Sequence, residues 1–186
     1  MKVAIISDIH DNTHNLICAL DEAKVREVEQ VLCLGDLVMG TVAKILANFN
    51  VPVFSVWGNN IGDKAVVMKI SLEDGSNLKL SERTYDSVEV DGKRLFLSHY
   101  PELAEPIAKS GEFDAVFFGH THFKEEKMIG DCLVANPGEI AGNISREATF
   151  IIYDTEDNSI EFVNIADAII IRTDRVDEFM ESIHNK

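Results

Sequence analysis

The chain is poor in cysteine, proline and basic residues. Cys18, Cys33 and Cys132 are its only three cysteines in 186 residues. They are odd in number and widely spaced, with no Cys-x-x-Cys pair, so neither a disulfide framework nor a thiolate zinc site is expected. Each reads as a small buried apolar residue. There is no repeat, no low-complexity tract and no Gly-, Ser- or Pro-rich linker, so residues 1–186 are expected to form a single domain. No apolar run approaches the length of a membrane span. The apolar start, Val3–Ile6, is interrupted by Asp8 with no small-residue cleavage site after it, so it reads as the buried first strand of a cytoplasmic protein. Lys and Arg number 17 against 32 Asp and Glu, a net charge of −15. Such a surface repels nucleic-acid polymers and anionic membranes, and neither is expected as a partner. It also repels a phosphate substrate, unless the site carries its own positive charge.

Apolar residues make up 46% of the chain, ordinary for a globular protein with a sizeable core. Val3–Ile6 and Val31–Leu34 are apolar runs typical of strands covered on both faces, and Val51–Trp57 reads as a third strand. Between them, Asn12 can cap a helix carrying Leu16, Ala19, Leu20 and Ala23 on one face, and a short helix runs through Val42, Ile45 and Leu46. This β-α-β-α-β start favours a mainly parallel sheet. The pattern then changes. A helix is expected near Gly62–Ile70. Tyr85–Val90 and Lys93–Ser98 flank Asp91-Gly92, a two-residue hairpin signal. A helix near Glu102–Lys109 and a buried strand, Ala115–Phe118, follow. Lys124–Ile129 and Cys132–Asn136 flank Gly130-Asp131 as another hairpin, and Thr149–Tyr153 and Ser159–Asn164 read as late strands. Val176–Ile183 is expected to close the chain as an amphipathic helix. Hairpins after a β-α-β start suggest two packed sheets with helices outside.

Four of the six histidines fall at strand ends. His10 follows the first strand together with Asp8, and in extended backbone residues i and i+2 project to the same side. His99 ends Leu95–Ser98. His120 and His122 follow Ala115–Phe118. The other two, His14 and His184, lie in expected helices and read as solvent-facing. Asp36 and Asn59 end the second and third strands behind Gly35 and Gly58. Each alone is an ordinary turn or cap residue. Together they stand where ligands gather in open α/β sheets, outside the carboxyl ends of strands.

The series Asp8-x-His10, Gly35-Asp36, Gly58-Asn59, His99 and Gly119-His120-x-His122 resembles the calcineurin-like metallophosphoesterase superfamily. Ser7-Asp8-x-His10 and Asn136-Pro137-Gly138 resemble its small prokaryotic phosphodiesterase branch. The resemblance implies an α/β fold, a four-layer α/β/β/α sandwich with two mixed β-sheets. It assigns Asp8, His10 and His122 to one divalent cation, Asn59, His99 and His120 to a second, and Asp36 to both. The reaction it implies is hydrolysis of a small phosphate ester, most simply a diester, by a hydroxide bridging the two cations. Two cations held by two carboxylates, four imidazoles and one amide leave a net positive charge that offsets the acidic surface. Mixed nitrogen and oxygen ligands suit manganese, the first expectation, and also nickel, iron, cobalt or zinc.

Three positions depart from the family pattern. Many members carry a histidine after the ligand asparagine, thought to protonate the leaving group, and Asn60 stands there instead. Ile61 replaces a common acidic residue, with Asp63 two positions on. Tyr100, then Pro101, follow His99 where glycine is usual. Asn59, Asn60 and Tyr100 are the residues expected to meet substrate. The resemblance also raises a phosphomonoesterase, or a weakly active or non-catalytic metal-binding scaffold like the retromer subunit of this fold. A homodimer or homotetramer would be compatible with it.

Overall fold

The computed structural model describes residues 1–166. The first strand, β1 (Lys2–Ile6), sets the layering. Its Val3 and Ile5 join one apolar cluster, while Ala4 and Ile6 join another on the opposite face. A strand apolar on both faces has to be covered on both. Helices α1 (Thr13–Val25), α2 (Gly40–Ala47) and α3 (Lys64–Ser71) alternate with β2 (Gln30–Cys33), β3 (Val53–Ser55) and β4 (Leu78–Leu80). These four strands run parallel in the order β1-β2-β3-β4. The hairpin β10 (Thr149–Asp154) and β11 (Ser159–Asn164) adds antiparallel to the free side of β1, completing a six-stranded mixed sheet.

The second sheet has the order β5-β6-β7-β9-β8. It comprises β5 (Tyr85–Val90), β6 (Lys93–Ser98), β7 (Ala115–Phe118), β8 (Lys124–Ile129) and β9 (Cys132–Pro137). Strands β6, β7 and β9 are parallel, and the edge strands β5 and β8 are antiparallel to their neighbours. Asp91 (φ 50°) and Gly92 (φ 76°) make the β5–β6 turn with two left-handed residues, as its type requires. A 3₁₀ turn at Pro101–Leu103 leads into α4 (Ala104–Lys109). Pro106 lies in the first turn of α4, where N–H groups have no intrahelical partner to lose.

Three apolar clusters give the layers. Leu16, Leu20, Val42 and Leu46 pack on the outer face of the first sheet. Val3, Ile5, Leu95, Phe117 and Tyr153 fill the space between the sheets. Val116, Phe118, Val134, Ala104 and Ala108 join the second sheet to α4. The result is the expected α/β/β/α sandwich. All three cysteines are buried, and none forms a disulfide among the described residues. No helix among the described residues is long and apolar enough to cross a membrane.

Three differences from expectation have local causes. The third strand is three residues, shorter than Val51–Trp57. Pro52 has no N–H to give to the ladder, and the Trp57 N–H bonds to the Arg83 carbonyl instead of β2. The third helix starts at Lys64 because the Asp63 carboxylate caps it by accepting from the Val66 N–H. The short strand β4 was not expected, since Leu78-Lys79-Leu80 is too brief for alternation to signal. The helix expected at Val176–Ile183 lies, with His184, outside the described residues.

Candidate metal centre

Every residue assigned to the site follows the carboxyl end of a parallel strand. Asp8 and His10 follow β1, Asp36 follows β2 and Asn59 follows β3. His99 follows β6, and His120 and His122 follow β7. The site is therefore shared between two sheets, three strands from one and two from the other. Glycines allow close approach both between the sheets, at Gly119, and between neighbouring strand ends, at Gly58. A Cβ at Gly119 would collide with the Ser7 hydroxyl, and one at Gly58 would collide with the Asp36 carboxylate.

The route by which Asp8 and His10 converge differs from the extended geometry expected. Both have left-handed backbone, φ 53° and 43°, as do Asp36 (54°), His120 (70°) and His122 (68°). Such conformations cost roughly 1–3 kcal/mol each in non-glycine residues and gather at functional sites. Here the surrounding hydrogen bonds hold them. The His10 N–H donates to the Asp36 carbonyl at 3.1 Å, and the Asp8 N–H to the Gly35 carbonyl at 3.3 Å.

Asp8 is fully buried and uses its two oxygens differently. Oδ2 accepts from the Ser7 hydroxyl at 2.6 Å and from the His120 N–H at 3.0 Å. Oδ1 is buried without a hydrogen-bond partner, and so is His10 Nε2. Oδ1 lies 3.7 Å from His10 Nε2 and 3.5 Å from His122 Nε2. His10 Nε2 is also 3.4 Å from Asp36 Oδ2. These gaps are too long for good hydrogen bonds. The 3.5 and 3.4 Å gaps match ligand atoms sharing a cation, which at bond lengths of about 2.1 Å sit about 3.0–3.5 Å apart. Orphaned buried polar atoms are costly, and a bound cation would satisfy both.

Asp36 lies beside a second group. Its Oδ1 is 3.6 Å from His99 Nε2. The His99 Nδ1–H donates to the Leu34 carbonyl at 2.8 Å, which in a neutral ring leaves the Nε2 lone pair facing Asn59 Oδ1 at 2.7 Å. Both atoms are of a type that a cation could use, and at 2.7 Å they also contact each other directly. Two sets of ligand atoms fall within 4.8 Å of one another, Asp8 with His10 and His122, and Asp8 with Asp36 and His99. His120 belongs to neither set. Its ring lies 5.1 Å from the His99 ring and 5.1 Å from the Tyr100 ring.

The atypical positions also have places. Asn60 donates both its backbone N–H and its side-chain amide to Asp36, each at 2.7 Å. It is a clamp on that carboxylate. Tyr100 sits edge-on to His99, 5.2 Å between centroids, and completes a trio with His120. Ile61 is exposed at 38%, and Asp63 is spent on capping α3.

Sequence reasoning missed Glu139. It is fully buried, and its Oε2 accepts from His122 Nδ1 at 2.7 Å. No local pattern marks it, because the contact spans 17 residues. The role of the Asn136-Pro137-Gly138 segment also emerges only in three dimensions. The Asn136 amide donates to the Gly119 carbonyl at 3.1 Å and to the Thr121 hydroxyl at 3.0 Å, bracing the turn that carries His120 and His122.

Electrostatics follow this geometry. Burial works against ionisation of Asp8, but His10, the Ser7 hydroxyl and the nearby His99 and His122 outweigh it, so its carboxyl stays below the ordinary 3.8. His10 is raised above its ordinary 6.5, mainly by Asp8, against burial and with help from Asp36. At 3.7 Å the Asp8 contact acts as charge rather than as a hydrogen bond. In the metal-free protein, a folded His10 that binds its proton more tightly than the unfolded chain stabilises fully below pH 6.5, and this is lost as pH rises through its folded value. The Asp8 contribution is present above 3.8 and is lost as pH falls through its depressed value. Thermal melts of metal-free wild type and His10→Gln are expected to differ most below pH 6.5 and to converge once pH passes the raised folded value. A difference independent of pH would contradict this assignment.

The sequence matches the calcineurin-like phosphoesterase superfamily domain over residues 1–158, and the chain belongs to that superfamily. A phosphodiesterase of Methanocaldococcus jannaschii is 35% identical to it over 158 residues, 84% of this chain and 94% of the relative. Among solved structures, an archaeal phosphodiesterase superposes with a TM-score of 0.78 at 32% identity, covering 88% of this chain and 99% of the other. Vps29 of Entamoeba histolytica, complexed with zinc, superposes with a TM-score of 0.60 at 18% identity, covering 89% and 99%, a likeness of fold alone.

Proposed function

We propose that the chain is a metal-dependent phosphodiesterase that hydrolyses small phosphate diesters at a two-cation site. Asp8, His10 and His122 hold one cation, Asn59, His99 and His120 hold the other, and Asp36 reaches both. The observation that carries this reading is the pair of buried, unpartnered atoms Asp8 Oδ1 and His10 Nε2, turned towards His122 and Asp36. The 35% identity to a phosphodiesterase over nearly all of that relative supports the reaction class. When bound, the two cations supply the charge that draws in a phosphate and the acidity that makes water a nucleophile near neutral pH. The chain's own residues position and shield. Ser7 and the His120 N–H hold Asp8, Asn60 holds Asp36, and the Leu34 carbonyl orients His99. Tyr100, packed against His99 and His120, is placed to meet the substrate's organic group. Nitrogen and oxygen donors without thiolate favour manganese, with nickel, iron, cobalt and zinc able to replace it. Three buried cysteines without a disulfide among the described residues agree with a cytoplasmic protein.

The preference for diesters over monoesters rests on the similarity to phosphodiesterases at 35% and 32% identity. A non-catalytic scaffold is the competing reading, and one observation favours it: Asn60 is spent on Asp36 and offers no acid to a leaving group. Both readings are tested by stripping the protein with chelator, restoring Mn²⁺ or Ni²⁺, and comparing an aryl phosphodiester with the matching monoester. The expected result is metal-restored turnover, faster for the diester. No turnover above a His120→Ala control would leave only the scaffold.

A further inference from the structure

Glu139 uses both carboxylate oxygens, and it uses them on different things. Oε2 accepts from His122 Nδ1 at 2.7 Å. Oε1 accepts from the Ile144 N–H at 2.7 Å, the Ser145 N–H at 2.6 Å and the Ser145 hydroxyl at 2.8 Å. The side chain is 0% exposed, against 10% for His122. In a neutral ring the proton facing that carboxylate sits on Nδ1, which leaves the lone pair on Nε2. Nε2 is the atom 3.5 Å from the unpartnered Asp8 Oδ1.

We infer that Glu139 is a positioning residue for the cation held by Asp8, His10 and His122, fixing the tautomer and orientation of His122 and so setting that cation's affinity. The inference rests on the two-cation reading. Partners of this kind behind ligand histidines typically change metal affinity by about 10–100-fold when lost. The geometry also links the ion to the segment after β9. Ser145 and Ile144 hold the far oxygen, and three donors fix the carboxylate against rotation, so its near oxygen is presented to the ring in one direction.

Glutamine is the informative replacement. It matches glutamate in size but has a single acceptor oxygen. That oxygen can serve His122 or the Ile144–Ser145 donors, not both. Ser145→Ala removes one donor to Oε1 and leaves the His122 contact in place, so it reports the cost of loosening the segment by itself.

The test uses full-length protein stripped with chelator. Mn²⁺ binding is measured by calorimetric titration for wild type, Glu139→Gln, Glu139→Ala and Ser145→Ala. The His122 tautomer is read from the ring nitrogens by NMR of the metal-free protein. Wild type is expected to bind two Mn²⁺ and to carry the His122 proton on Nδ1. Glu139→Gln and Glu139→Ala are expected to weaken one ion by about 10–100-fold, leave the other within a few-fold, and spread the tautomer. Ser145→Ala is expected to lower thermal stability without that loss of affinity. If Glu139→Ala does not fold, the isosteric Glu139→Gln decides. Unchanged affinity in Glu139→Gln beside two-ion binding by wild type overturns the inference alone. Equal weakening of both ions, a Ser145→Ala loss as large as that of Glu139→Gln, or a wild-type proton on Nε2 overturns it as well. Failure of wild type to bind Mn²⁺ removes the two-cation reading on which it rests.

Discussion

Asp36→Ala is expected to lower metal-restored phosphodiester turnover by at least about 10³-fold, beyond the 10²–10³-fold typical of losing one transition-state donor. The reason lies in where the carboxylate stands. It is 1% exposed, with Oδ2 3.4 Å from His10 and Oδ1 3.6 Å from His99. It thus stands beside a histidine of each proposed triad, held there by Asn60. Asp8 contributes one free oxygen, because Ser7 and the His120 N–H hold the other. On the proposed assignment, removing Asp36 would take a ligand from both cations and leave Asn60 without the partner it clamps. The mutant's fold is expected to persist, since the strand-end hydrogen bonds at this position run through the Asp36 backbone, from the His10 N–H to its carbonyl. Circular dichroism separates loss of fold from loss of chemistry. Turnover within tenfold of wild type at saturating Mn²⁺ would show that Asp36 does not join the two cations.

The second large effect concerns the leaving group. The position after Asn59 carries Asn60, whose amide donates to Asp36 Oδ2. An amide cannot supply a proton near neutral pH. General-acid help is typically worth about 10²–10⁴-fold, so departure of an alkoxide should be slower than that of a nitrophenoxide by at least that margin. A series of aryl diesters whose phenols rise in pKa, with the non-leaving group held constant, is expected to show a steep fall in kcat. A flat series, with single-turnover kinetics showing that chemistry limits the rate, would mean that another group delivers the proton. Tyr100, packed against His99 and His120, is then the first residue to replace.

Much of this molecule could be read from sequence because its strands announce themselves. Val3–Ile6, Val31–Leu34 and Ala115–Phe118 are apolar runs with both faces buried, and each ends at a residue of the site. Asp91-Gly92 specifies its turn by its own backbone preferences. The residues expected to hold cations were proposed from the same runs, because aspartates and histidines recur just past the ends of several of them. What stayed hidden depends on contacts between distant segments. β4 gains its place only from pairing with β3. Glu139 has meaning only beside His122, and Asn136 only beneath the Gly119–Thr121 turn. The left-handed backbone at Asp8 and His10 was also invisible, because residue type alone pointed to an extended run. Asn60 was read as a position lacking an acid, and its contacts add that it holds Asp36 in place.

The central claim is that these seven residues hold two cations side by side. Crystals grown from chelator-stripped protein and soaked in saturating Mn²⁺ test it directly through anomalous scattering. Two peaks are predicted, one bounded by Asp8, His10 and His122 and the other by Asn59, His99 and His120, both within bonding reach of Asp36. A single peak, or none, in crystals at saturating Mn²⁺ would contradict the account.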